Sequence, residues 1–260
     1  RKRAYGMDLQ TILQLNALNQ SFYRKVASSF SETRQHPWSG WEIAWKTVAN
    51  TLHTQKTVTV LDLGCGNGRF AVFCCNHLQP DQKLVYWGVD QDQQLLDLAR
   101  ETIAGCDRRH QLELQRRNIV EDLLQKTPNF SPQAIDVSVA FGLFHHLPSY
   151  ELRLKALTTL ARSLAPTGLL VISFWQFTRN LALMKRQLQP QQLGIDPSQL
   201  ESNDFFLTWE REASATRYCH LVNREEQDSL ITDTGLQLID RFSADGRSGQ
   251  DNDYVILQPK

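Results

Sequence analysis

Apolar and polar positions along the chain alternate between two rhythms. Residues 57–63 (TVTVLDL) are β-branched or apolar almost without interruption, which predicts a strand buried on both faces. The turn Gly64-Cys65-Gly66-Asn67-Gly68 follows, and the run from Arg69 to Cys75 then takes a helical spacing. The same succession recurs downstream. A strand at 83–90 (KLVYWGVD) precedes a helix at 93–103, and a strand at 112–117 ends on Asn118-Ile119. A strand at 135–141 precedes a helix at 150–164, Pro166-Thr167-Gly168 breaks that helix, and 169–175 (LLVISFW) is again apolar. Such alternation predicts an α/β chain with a Rossmann-like, doubly wound, mostly parallel sheet covered on both faces. Ligands in these sheets sit beyond the carboxyl ends of the strands, at the point where strand order reverses. The expected organisation is a single domain over 1–260. It comprises an N-terminal helical cap (1–52), a cofactor-binding half (53–175), a helical or irregular substrate-facing insertion (176–224) and a closing part (225–260). In the closing part a helix at 224–235 leads to an antiparallel hairpin of 236–242 and 254–257.

Composition narrows the class. Over 260 residues, 41% are hydrophobic and 22% charged, and 28 basic against 28 acidic residues leave a net charge of +0. Disordered, collagenous and coiled-coil chains are excluded. No run approaches the roughly 18 apolar residues of a membrane span, and Arg1-Lys2-Arg3 leads into mixed sequence rather than an apolar signal core, so the expectation is a cytoplasmic protein with no membrane partner. Five cysteines, an odd number, read as reduced thiols, and no CxxC pair argues for a metal. With neutral overall charge, any nucleic acid has to be held by local basic patches.

The glycine turn is the most diagnostic local feature. A dinucleotide fingerprint would need glycine at position 69, where Arg69 stands, so a pyrophosphate cradle is disfavoured. Gly64, Cys65 and Gly66 let backbone approach a ligand, and Asp62 can receive a cationic group. Asp90, 26 residues beyond Gly64 (90 − 64), closes the second strand with Gln91 and is placed to accept both hydroxyls of a free ribose. Asn118 offers the donor and acceptor of an adenine edge, and Ile119 a backbone amide. Phe141 and Gly142, at the tip of the fourth strand, complete the candidate cofactor set. Together these suit S-adenosyl-L-methionine better than NAD.

VLDLGCGNGRF, GVDQD, RNI and LARSLAPTGLLVI resemble the successive motifs of the class I S-adenosylmethionine-dependent methyltransferases. The resemblance implies a seven-stranded sheet with an antiparallel last strand. It also places Gly64, Cys65 and Gly66 beside the methionine part, Asp90 on the ribose, and Asn118 with Ile119 at the adenine. From about residue 20 to 257 the chain further resembles the tRNA wobble-uridine carboxymethyl O-methyltransferases. The stretch from Tyr23 to Trp38 is similar to that family's entry segment, and Phe144-His145-His146-Leu147 to its paired-histidine turn. Ser173-Phe174-Trp175 is similar to the end of its fifth strand, residues 204–209 (DFFLTW) to its acidic-aromatic insert, and Arg217-Tyr218-Cys219-His220 to its RYYH-like run. Thr208, Cys219 and the missing tryptophan after Asn252 depart from the family pattern. The resemblance implies a tRNA anticodon loop as substrate and a small zinc-binding activator protein as partner, with no DNA.

Methyl transfer to a carboxylate needs positioning rather than a base, because that acceptor is already an anion at neutral pH. Arg34 and Arg217 are the candidates to fork onto it, and Arg34 could instead clamp the cofactor's own carboxylate. His145 and His146 are candidate catalytic groups: a base if the acceptor is a hydroxyl or ring nitrogen, hydrogen bonding and shape if it is a carboxylate. Tyr23, Trp38, Trp175, Tyr218 and His220 are candidate substrate residues, aromatic walls or stacking surfaces for a splayed base. Competing readings are a small-metabolite methyltransferase, a non-catalytic S-adenosylmethionine-binding module and, weakest, a dehydrogenase.

Overall fold

The computed structural model describes residues 6–33, 36–210 and 214–260. Two helices open the chain, α1 (Leu9–Glu32) and α2 (Ser39–Leu52). Asp8 caps α1 by accepting from the Thr11 amide at 2.7 Å, which satisfies one of the free N–H groups of the first turn. The alternating part follows as β1 (Thr57–Leu63), α3 (Arg69–His77), β2 (Lys83–Asp90), α4 (Gln93–Ile103), β3 (Gln111–Arg116), α5 (Ile119–Leu124), β4 (Ile135–Ala140), α6 (Tyr150–Ser163) and β5 (Leu164–Trp175). The remainder is α7 (Leu181–Met184), β6 (Gln187–Leu188), β7 (Asp204–Glu210), β8 (Ser214–His220), α8 (Arg224–Thr234), β9 (Gln237–Ala244) and β10 (Asn252–Gln258).

The main sheet has the order β3-β2-β1-β4-β5-β10-β9. Neighbours from β3 to β5 pair in parallel, while β10 runs antiparallel to both β5 and β9. Strand order reverses between β1 and β4. Period-two alternation sends Leu61 and Leu63 into one apolar layer with α1, α6 and α8, and Val58 and Val60 into the other with α2 and α3. Two covered faces account for strands that read as unbroken apolar runs.

Two features differ from the sequence expectation. Pro166-Thr167-Gly168 does not separate helix from strand, because β5 already begins at Leu164. Its register against β4 jumps from Ile135↔Leu164 to Val137↔Leu169, so the extra residues bulge out of the ladder. The insertion after β5 is not mainly helical or irregular. Short turns there frame a second, three-stranded antiparallel sheet, β6-β7-β8, which packs on α1.

The N-terminal cap meets the closing hairpin at one tight point. Asp245 accepts from the Gly40 amide (2.9 Å), from Asn252 Nδ2 (2.8 Å) and from the Tyr254 hydroxyl (2.5 Å). A Cβ on Gly40 would lie 2.2 Å from the Tyr254 ring, so only glycine lets α2 approach so closely. Gly40→Ala should therefore destabilise the protein by about 3 kcal/mol in urea unfolding. A change under about 0.5 kcal/mol would refute the close approach.

Candidate active site

A cavity of about 350 Å³ opens beyond the carboxyl ends of β1, β2 and β4, at the reversal of strand order and within the size range of small-ligand sites. The glycine turn forms its floor. The Gly64 and Cys65 amides both donate to the Val89 carbonyl (2.7 and 3.0 Å), which folds the turn back onto β2. Gly66 has φ +53° and nothing within 4 Å of the place a Cβ would take, so its backbone is open to a ligand.

Nine of the ten cofactor candidates line this cavity: Asp62, Gly64, Cys65, Gly66, Asp90, Gln91, Ile119, Phe141 and Gly142. Asp90 accepts from the Gly66 amide (2.9 Å) through one oxygen and from the Asp92 amide (3.0 Å) through the other. Each oxygen keeps a further lone pair, enough for a pair of vicinal hydroxyls. Burial raises its pKa to about 6, against the opposing pull of those two amides. Asp62 is raised further, to about 7, again mainly by burial, while the Tyr86 hydroxyl at 2.5 Å works the other way. Gln91 Oε1, also in the wall, is a buried acceptor with no partner among the described residues. A ligand with hydroxyl and N–H donors and a cationic group supplies what these three side chains lack, so the pocket fits S-adenosylmethionine. Asn118, the tenth candidate, is not in the wall. Its carboxamide caps α5 and bonds Asn16 and Glu121, so its side chain is spent on the fold rather than on an adenine.

Six further candidates from the sequence share this cavity. Tyr23, Trp38, His145, His146, Trp175 and Arg217 all line it. Arg217, at 5% exposure, has its guanidinium over the Phe22 ring (5.0 Å) and the Trp175 ring (4.6 Å), and among the described residues no carboxylate or carbonyl pairs with it. His145 packs edge-on to Trp175. His146 is held on both nitrogens: Nε2 lies 2.7 Å from the Tyr23 hydroxyl, and Nδ1 3.1 Å from Asn19 Nδ2 and from the Tyr218 carbonyl. It acts as a strut between α1 and β8. Arg34 lies outside the described residues. Tyr218 and His220 do not reach the cavity, because they alternate with Arg217 along β8 and point into a buried polar cluster behind it.

The structure also adds residues that the sequence reading passed over. Asn16, Trp41, Arg69, Asp245 and Asn252 line the same space. Arg69 is clamped between Trp38 (5.0 Å) and Trp41 (4.9 Å), and burial lowers its pKa to about 10. One signal was available: a cation in the first turn of a helix is electrostatically disfavoured and asks for a reason. Among the described residues, two groups have ligand atoms close enough to hold a metal, His145–His146–Cys219 and Glu201–Asp204–His220. In the first, both His146 nitrogens already bond protein groups. In the second, Arg153 supplies the cation.

A family model described as a methyltransferase domain matches residues 61–170. The tRNA (carboxymethyluridine(34)-5-O)-methyltransferase of Mus musculus is 29% identical over 153 residues, 59% of this chain and 19% of that protein. A putative methyltransferase of Encephalitozoon cuniculi is 26% identical over 219 residues, 84% of this chain and 87% of that one. A probable tRNA methyltransferase 9B of Mus musculus is 27% identical over 64% of this chain and 31% of its own length. The chain thus spans about a fifth to a third of the two tRNA enzymes it matches. Among solved structures, an S-adenosylmethionine-dependent methyltransferase from Clostridium acetobutylicum superposes with a TM-score of 0.62 at 12% identity, covering 91% of this chain and 98% of that one. A magnesium protoporphyrin IX methyltransferase from Synechocystis with bound S-adenosylmethionine gives 0.57 at 11% identity, covering 94% and 97%.

Asp62 makes ligand binding pH-dependent. Free protein takes up a proton there as pH falls through about 7, whereas a cationic ligand group needs the ionised carboxylate. Affinity for S-adenosylhomocysteine should be about tenfold weaker at pH 6 than at pH 8 by calorimetry, and Asp62→Asn should remove that slope. Asp90→Ala should weaken binding strongly at every pH, and unchanged affinity would refute the ribose assignment. The matched domain, the strand order and the cavity at its reversal support a class I S-adenosylmethionine-dependent methyltransferase.

Proposed function

We propose that the enzyme O-methylates a carboxymethyl group on the wobble uridine of tRNA. The observation that carries this reading is Arg217, a buried guanidinium facing the cavity with two aromatic rings for neighbours and, among the described residues, no anion paired with it. A desolvated cation in such a place calls for an anionic ligand. Its planar fork matches a carboxylate. The similarity to a carboxymethyluridine methyltransferase supports the same acceptor.

S-adenosylmethionine supplies an electrophilic methyl group on its sulfonium. Arg217 holds the acceptor carboxylate and fixes the direction of its oxygen, so the orientation is prepaid by binding. No residue has to remove a proton, because the acceptor is ionised well below neutral pH. His145 and Trp175 wall the pocket, His146 holds Tyr23 and β8 in place, and Trp38 with Tyr23 offers ring faces to a splayed base. Asp62 and Asp90 hold the donor at the opposite end.

For the nucleic acid, exposed Arg24 and Lys25 follow Tyr23 on α1, and exposed Lys185 and Arg186 lie beside β7 on the insert. Two other basic pairs, Arg108-Arg109 and Arg116-Arg117, are partly spent within the fold. Arg117 bonds Asp122 and the Asn129 carbonyl, and Arg109 the Pro80 carbonyl. A small zinc-binding activator belongs to the same proposal; the sheet leaves β3 and β9 as outer strands, and β9 exposes Leu238 and Ile239. The neutral net charge favours a second reading, a small carboxylate metabolite as acceptor. No helix among the described residues is long and apolar enough to cross a membrane.

Mass analysis of tRNA nucleosides from cells lacking the gene decides between the acceptors: free carboxymethyl uridine should accumulate, and unchanged nucleosides would leave the metabolite reading. Arg217→Met should lower kcat/KM for the acceptor about a hundredfold while leaving S-adenosylhomocysteine affinity intact. With both substrates saturating, His145→Ala should keep a flat pH–rate profile between about pH 6 and 7.5, and loss of a basic limb would mean an acceptor that must be deprotonated.

A further inference from the structure

Behind the acceptor pocket, the insert is fastened to the main sheet by buried ionisable groups that methyl transfer does not use. Arg153 on α6 is fully buried. It donates through Nε to Glu226 of α8 (2.6 Å), through Nη2 to Glu201 ahead of β7 (2.8 Å), and through Nη1 to the Leu147 carbonyl (2.9 Å), next to the paired-histidine turn. His220, at the end of β8, stands among the same acids. Its Nδ1 is 2.7 Å from Asp204 Oδ1 and 3.4 Å from Glu201 Oε2, and its Nε2 is 2.7 Å from Glu226 Oε2. The Tyr218 hydroxyl also donates to Asp204 (2.8 Å), and the Tyr150 amide to Glu201 (2.9 Å).

Hydrogen-bond chemistry fixes the state of this ring. Ionised carboxylates only accept, and a neutral imidazole would turn one lone pair toward a carboxylate at 2.7 Å. Both nitrogens therefore donate. Charge counting agrees: Glu201, Asp204 and Glu226 carry three negative charges against one on Arg153, and a second cation is needed to approach neutrality in a buried cluster. Burial pushes the His220 pKa down, but its bonds to Asp204 and Glu226 outweigh that and raise it. Glu226 is held low by His220 and Arg153, although burial opposes them.

We propose that His220 is a positioning residue that remains protonated at neutral pH, and that its imidazolium, with Arg153, locks β8 so that Arg217 faces the acceptor. Strand alternation carries the effect: Tyr218 and His220 point into the ionic cluster, so Arg217 between β8 and the Phe22–Trp175 rings points into the cavity. Through the Leu147 carbonyl, the same cluster holds the turn bearing His145 and His146. The link to an anionic acceptor rests on the function proposed above, while the charge on His220 does not.

Nitrogen-15 NMR of the intact protein, titrated from pH 6 to 9, reads the ring directly. Both His220 nitrogens should carry protons at pH 7.5, and a neutral tautomer there would overturn the proposal, as would a stoichiometric metal bound to Glu201, Asp204 and His220. The protonated ring stabilises the fold fully below about 6.5 and is lost as pH rises through its raised folded value, so the unfolding midpoint should fall across that range in the native protein and not in His220→Gln. With the acceptor, the native KM should rise about tenfold over the same pH range, while S-adenosylhomocysteine affinity follows Asp62 alone and changes alike in the native protein and in His220→Gln. His220→Gln should show the high KM throughout with kcat little changed; a native KM and pH profile in that variant would overturn the proposal. If no carboxymethyl acceptor is turned over by the native enzyme, the proposed function has failed, and the NMR and unfolding measurements still decide the charge on His220.

Discussion

Asp62 and Asp90 are buried at the tips of adjacent strands, and among the described residues neither forms an ion pair. Carboxyls taken out of water without a counter-charge resist ionisation, and both values are raised. A ligand that brings hydroxyl donors and positive charge relieves this cost, so the pocket's affinity is stored in the fold before anything binds. The surrounding backbone makes the arrangement possible. A Cβ on Gly88 would lie 2.7 Å from Leu114 and 3.0 Å from the Cys65 sulfur, so β2 needs glycine where the turn presses against it. Gly68, in the left-handed region, sits equally close to Ala99 and brings α3 against α4.

The roof over that floor is assembled from the two ends of the described chain. Asp245, itself at φ +70°, gathers the start of α2 and the last strand with four hydrogen-bonded groups from Ser39, Gly40, Asn252 and Tyr254. Trp38 and Trp41 then hold Arg69 between them. Asp62 and Asp90 thus form an acidic floor under an aromatic roof, and Arg217, held between the Phe22 and Trp175 rings, lines the same cavity.

The fold is shared with methyltransferases of very distant sequence, as the Clostridium acetobutylicum and Synechocystis structures illustrate at 12% and 11% identity. The β6-β7-β8 sheet, packed on α1, lines the cavity through Arg217. Its charged fastening costs more to desolvate than apolar packing would, but it fixes strand register and side-chain direction in a way apolar contacts do not.

Much of the donor site was legible because it is local. Unbroken apolar runs require two covered faces, a glycine turn between strand and helix requires a floor, and Asp90 at a strand tip requires no knowledge of distant residues. The insertion was harder. DFFLTWE and SATRYCH are strands only because each pairs with the other and packs on α1, and a short run of mixed residues carries no period strong enough to show it. For the same reason Tyr218 and His220, adjacent in sequence to Arg217 and Cys219, could not be assigned a direction until pairing fixed which side each faced. Asn118 had two chemically sound uses, adenine edge or helix cap, and the nearness of Asn16 and the start of α5 settled its side chain on the second. Arg69 and Asp245 joined the site only through residues far away in the chain. Sequence by itself thus determined the sheet, the turn and the acids at the strand tips, since these follow from periodicity and local sterics; tertiary structure alone decided which charges are buried without partners, because desolvation belongs to no segment by itself.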